Sequence, residues 1–136
     1  MTRRLRGLFL VAPLVLVLAG CEESSPIGPA PPEEVTVLFD GTLPVNGANT
    51  HRFTTNGSGN ITVTLEALSP AGTPTIAIAL GVWTGASCNL IIVNDNAAVD
   101  ANLIGTGTAS GEFCARVYDV GRLTAPATYS LEVTHF

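Results

Sequence analysis

Apolar residues recur at every second position along most of this chain. Over residues 60–68, Ile61, Val63, Leu65 and Ala67 alternate with Thr62, Thr64 and Glu66. Only an extended strand sends one such set to a buried face and the other to water. A helix would scatter the same residues around its axis. The pattern returns at Ile76, Ile78 and Leu80, at Phe113, Ala115 and Val117, and at Tyr129, Leu131 and Val133. Shorter strands are expected over 35–39, 51–54 and 90–93. Between the strands lie turn formers: Asn46-Gly47, Asn56-Gly57-Ser58-Gly59, Ser69-Pro70-Ala71-Gly72 and Gly105-Thr106-Gly107, the last expected as a flexible turn. No stretch joins helical caps to a helical period. About seven or eight strands in roughly a hundred residues predict an antiparallel β-sandwich over 35–136.

The leader obeys a different logic. Arg3, Arg4 and Arg6 precede an apolar run over 8–18 that is interrupted by Pro13. It is shorter than the roughly 20 residues a membrane-spanning helix needs, so residues 1–20 read as a signal peptide. Leu18-Ala19-Gly20-Cys21 resembles a bacterial lipobox. That resemblance implies cleavage before Cys21 and acylation of the new terminus by diacylglycerol and a palmitate-type chain, each buried methylene adding about 0.8 kcal/mol of membrane affinity. An ordinary secretory signal with a chance cysteine is the alternative. The pair Arg3-Arg4 lacks the Phe-Leu that usually follows a twin-arginine signal, so general secretion is expected.

With the leader removed, three arginines face eleven acidic residues, a net charge of −8 without any lysine. Such a body has no electrostatic footprint for nucleic acid or for anionic headgroups. Residues 22–34, EESSPIGPAPPEE, hold four prolines, two serines and four glutamates. With Cys21 they form a linker (21–34), a semi-rigid stalk of roughly 40 Å at about 3.1 Å per residue. Glu22 stands where some bacteria read an aspartate as an inner-membrane retention signal, which favours the outer membrane. The expected location is therefore the bacterial cell envelope, with the lipid anchor as the membrane partner.

Once Cys21 is assigned to lipid, Cys88 and Cys114 remain as an even pair in an exported, oxidising setting. A disulfide between them is expected; two unpaired buried thiols are the alternative.

Phe39-Asp40-Gly41-Thr42-Leu43, Thr50-His51-Arg52-Phe53, Ile61-Thr62-Val63-Thr64-Leu65, Gly111-Glu112-Phe113-Cys114-Ala115-Arg116-Val117 and Thr128-Tyr129-Ser130-Leu131-Glu132-Val133 together resemble bacterial pre-peptidase C-terminal domains. The likeness covers nearly all of 35–136. It implies a jelly-roll-like sandwich of the kind appended to exported enzymes, some members of which bind calcium, collagen or polysaccharide. Two departures stand out: no enzyme accompanies the domain, and the cysteine pair is not general in that family. An appendage standing alone implies binding or scaffolding rather than chemistry.

Catalytic groups are sparse. His51 and His135 are the only imidazoles, and neither sits in a nucleophile motif. Both read as surface or strand-edge residues. The glycines over 105–111 lack the lysine and the helix of a phosphate loop. Asn94, Asp95, Asn96 and Asp100, with Asp40 or Asp119 as further oxygen donors, form a weak calcium candidate without EF-hand spacing; turn chemistry explains the same residues. Trp83 and Tyr118 are the candidate ligand-binding aromatics. Tyr118 is expected on the exposed face opposite Phe113 and Val117, and Trp83 in the core or over its end.

The residues thus predict a noncatalytic, lipid-anchored envelope sandwich whose loops bind a ligand or partner, a carbohydrate or matrix polymer being one class. A structural subunit of an envelope protein assembly is the alternative. A hydrolase of envelope material would need His51 or His135 beside a nucleophile.

Overall fold

The computed structural model describes Gly28, Ala30 and residues 32–136; the segment expected as a signal peptide, the expected acylation site Cys21 and most of the expected linker lie outside the described residues. The described residues form eight strands and no helix: β1 (Val35–Leu43), β2 (Ala48–Thr55), β3 (Gly59–Ser69), β4 (Ile76–Trp83), β5 (Cys88–Ala97), β6 (Asn102–Gly107), β7 (Gly111–Tyr118) and β8 (Ala127–His135). They assemble as two four-stranded sheets, ordered β1-β8-β3-β6 and β2-β7-β4-β5, with every pairing antiparallel. This is the jelly-roll arrangement, in which every successive strand crosses to the other sheet except at the β4–β5 hairpin.

The alternating residues meet between the sheets, except Ala67, which a register shift after Leu65 leaves exposed. Ile61, Val63 and Leu65 of β3 and Leu131 and Val133 of β8 face Ile76 and Ile78 of β4 and Val117 of β7, all essentially without solvent contact. Each such side chain contributes about 1.5–3 kcal/mol on burial. Outward positions of the first sheet are mostly polar, with Leu38 and Ile104 as exposed apolar exceptions; β1, β3, β6 and β8 carry Asp40, Glu66 and Glu132 and no arginine.

Of the glycine-rich segment 105–111, expected as a flexible turn, only residues 108–110 form the bend between β6 and β7; residues 105–107 are strand. Gly105-Thr106-Gly107 closes β6, with Ile61 opposite Gly105 and Gly59 opposite Gly107. The space beside Gly105 is occupied by Leu80 from the other sheet, so packing overrides the turn propensity of glycine.

Two fastenings hold the ends of the sandwich. The Asp119 carboxylate, 8% exposed, accepts backbone N–H bonds from Asn46, Gly121, Arg122 and Leu123 at 2.8–3.1 Å, tying the β1–β2 turn to the β7–β8 connection. Burial alone would raise its pKa, but those four donors favour the anion and pull it below the ordinary value. The second fastening is the Cys88–Cys114 disulfide. Cys114 on β7 lies opposite Gly81 on β4, and β5 runs on the far side of β4. Strands two places apart sit about 9.6 Å apart, yet the two cysteine Cα atoms are 5.8 Å apart. The start of β5 therefore arches over β4, and it does so at Gly81, where a Cβ would collide with the Asn89 carbonyl. The missing side chain is what admits the bridge.

Candidate functional site

Alternation along β2, β4 and β7 sends Arg52, Trp83, Cys114, Arg116 and Tyr118 to the outer face of the second sheet. At one end the Arg52 guanidinium lies 5.0 Å from the Trp83 ring centroid and 3.9 Å from the Glu112 carboxylate, beside the disulfide. At the other, Arg116 stands 5.8 Å from the Tyr118 ring, whose hydroxyl donates to Asp95 at 2.8 Å. Burial, reinforced by the Asp95 carboxylate as acceptor, raises the pKa of the Tyr118 phenol. Arg122 from the β7–β8 connection closes this end by donating to the Asp95 carbonyl and the Thr75 hydroxyl. All three arginines among the described residues thus gather on or beside one sheet face, with the two candidate aromatics.

Trp83 corrects the sequence expectation. It is the last residue of β4, half-buried on the outer face rather than in the core, because its odd position is out of phase with Ile76, Ile78 and Leu80. Tyr118 lies on the face expected for it but is half-buried there rather than exposed. Both belong to strands, so the aromatic surface is a sheet face and not a loop cluster. The two rings do not form one platform: Ala77 lies opposite Tyr118, and Trp83 is six residues further along β4, a separation of about 20 Å at the usual strand rise.

The calcium candidates diverge. The Asn94 side-chain oxygen accepts from the Asn96 N–H (2.9 Å), the Asn96 oxygen accepts from Thr75 (2.7 Å), and Asp95 is engaged by Tyr118. Asp100 takes a left-handed conformation, φ 70°, in the β5–β6 turn, where its N–H donates to the Leu65 carbonyl. Both oxygens of Asp119 are taken by backbone donors. Asn94, Asp95 and Asn96 belong to β5 rather than to a turn, and among the described residues no three acid, imidazole or thiol side chains converge on one point.

The histidines face inward, against the expectation of surface or strand-edge positions, because both fall on the inward phase of their strands. His135 is 5% exposed and stacks on Phe53, with ring centroids 5.0 Å apart. His51 stacks on Phe39 and lies 2.7 Å from the hydroxyl of Tyr129, which also accepts from Asn49 at 3.0 Å. Asn49 can only donate through its amide nitrogen, so the phenol proton points to Nε2 of a neutral imidazole. Burial lowers the His51 pKa, which keeps that arrangement, and burial likewise raises the pKa of Tyr129. Tyr129 fits because Gly41 lies beneath it; a Cβ there would come within 2.6 Å of the phenol oxygen. Composition flagged His51, but the Tyr129 hydroxyl that engages it lies 78 residues away in sequence, and Asn49, which fixes that hydroxyl, carried no signal of its own.

An open depression of about 460 Å³ crosses β1, β8 and β3 on the first sheet, lined by Asp40 and by the hydroxyls of Thr42, Ser69, Thr128 and Ser130. None of the candidate aromatics reaches it. No family model and no curated protein matches this chain.

Proposed function

We propose that this chain is a noncatalytic binding module of the bacterial cell envelope, held by a lipid anchor at Cys21, that engages an extended acidic carbohydrate or matrix polymer. Its docking surface in this reading is the outer face of the β2-β7-β4-β5 sheet. The observation that carries it is the segregation of charge and aromatics: Arg52 with Trp83 and Arg116 with Tyr118, at two ends of one face. Trp, Tyr and Arg are the side chains that dominate binding hot spots. Aromatic faces stack on sugar rings, and guanidinium groups pair with carboxylates in a fork. A span of about 20 Å between the two clusters suits a chain-like ligand rather than a single ring. The leader, the proline-rich stalk and the resemblance to pre-peptidase C-terminal domains support the same reading.

Affinity electrophoresis of the full chain through gels containing alginate, with neutral dextran as control, tests this. Alginate should retard the wild-type chain, and Trp83→Ala or Tyr118→Ala should each weaken binding by about 10- to 100-fold. Retardation that persists in both variants, or that dextran reproduces, refutes the proposed face. The anchor is tested separately: native material should enter the detergent phase with an acylated mass, and Cys21→Ser should remain in the aqueous phase.

A further inference from the structure

The two narrow sides of the sandwich differ in chemistry. One side is formed by β1 and β2, which carry Asp40, His51 and Arg52. The other is formed by the edge strands β5 and β6, and it is charge-free over residues 89–94 and 102–107. It also holds two of the most exposed large apolar side chains among the described residues, Ile91 at 64% and Ile104 at 60%, with Val93 at 43%. We propose that this side joins two copies of the chain, β5 of one copy running antiparallel to β5 of the other about a two-fold axis near Ile91.

Three observations support a second copy as the occupant. First, β5 pairs only with β4, so its outward N–H and C=O groups are met most fully by another strand. A two-fold pairing uses the same edge twice and closes at a dimer. Second, the body is acidic, and approach by any acid-bearing face would set like charges against one another. Asp95 is the one charged residue of β5. Pairing centred near Ile91 puts the two copies' Asp95 residues about 27 Å apart along the strands, well beyond the Debye length of about 8–10 Å. Third, β5 is a fixed edge rather than a frayed one, because the disulfide pins Cys88 to β7. An edge already ordered loses less conformational entropy on association.

This inference stands apart from the polymer-binding reading, whose residues lie on β2, β7 and the end of β4. Sedimentation velocity of the full chain in dodecyl maltoside tests it. The wild-type chain should form a concentration-dependent dimer. Ile91→Glu and Val93→Glu should each raise the dimer dissociation constant by about 100-fold or more, since they set like charges together across the axis. Leu38→Glu, equally exposed but on β1, should leave the dimer intact. The near-ultraviolet signal of Trp83 reports that each variant is folded. A wild-type chain that stays monomeric at about 100 μM overturns the proposal. So does a dimer that withstands both β5 substitutions, or one that Leu38→Glu dissolves.

Discussion

Replacing Cys88 and Cys114 together by alanine should cost this domain about 3.5 kcal/mol. The bridge closes a loop of sequence separation 26, and the chain-entropy relation for such a loop gives about 3.5 kcal/mol at 25 °C. For a body of about a hundred residues this lowers the Tm by about 15 °C. The assay is urea unfolding followed by the fluorescence of the single tryptophan, Trp83, in the oxidised chain, the reduced chain and the double variant. The m-value should rise as the bridge is lost, because the unfolded ensemble expands and exposes more surface. Gly81→Ala supplies the geometric counterpart. With the bridge intact, its Cβ meets the Asn89 carbonyl and should cost about 1–3 kcal/mol. In the double cysteine variant β5 is free to straighten away from β4, so the same substitution should cost less, a positive coupling between sites in contact. A loss below about 1 kcal/mol on removing the bridge, with an unchanged m-value, would refute the entropic reasoning. Additive effects of Gly81→Ala and bridge removal would refute the arch.

Two further predictions concern the buried polar groups. Asp119→Ala leaves four backbone donors without their acceptor and should destabilise the domain by about 2–4 kcal/mol in the same assay. Because the folded pKa of Asp119 lies below its ordinary 3.8, its contribution is present above that pH and lost as pH falls through the folded value; Asp119→Asn should remove this component of the acid limb. Tyr129→Phe leaves His51 without its hydrogen-bond donor and should cost about 1 kcal/mol. His51 has a folded pKa below 6.5, so the unfolded chain takes up its proton first. Stability should therefore decline as pH falls from 6.5 toward the folded value, a component that His51→Phe abolishes.

Where one face of a strand is buried and the other wet, the sequence announces the strand. The alternation around Ile61, Val63 and Leu65 lies within β3 with one residue to spare at each end, and Tyr129, Leu131 and Val133 all point inward on β8. The signal fails where the wet face is also covered. Ala77 and Ala79 on the outer face of β4 are as buried as Ile76 and Ile78, which blurs the alternation beneath Tyr118 and Arg116. It fails at β6 because glycines that make room for Leu80 look the same in sequence as glycines that make a turn. The cysteine pair was legible from counting alone. That the bridge needs Gly81 was not, since the requirement comes from a strand passing over another. Trp83 and Tyr118 were legible as residues to watch, but Arg52 and Arg116 acquire meaning only through cross-strand register, which sets an arginine of β2 beside the tryptophan of β4.

In the first sheet β8 lies between β1 and β3, and it is the sole partner of β1. A polypeptide delivered with its amino end leading cannot complete this sheet until the last nine strand residues, Ala127–His135, have emerged. The opening strand must wait for the closing one, across a separation of about a hundred residues that makes the docking slow. Completion of the first sheet is consequently a late step, and until it occurs β1 stands without a partner strand.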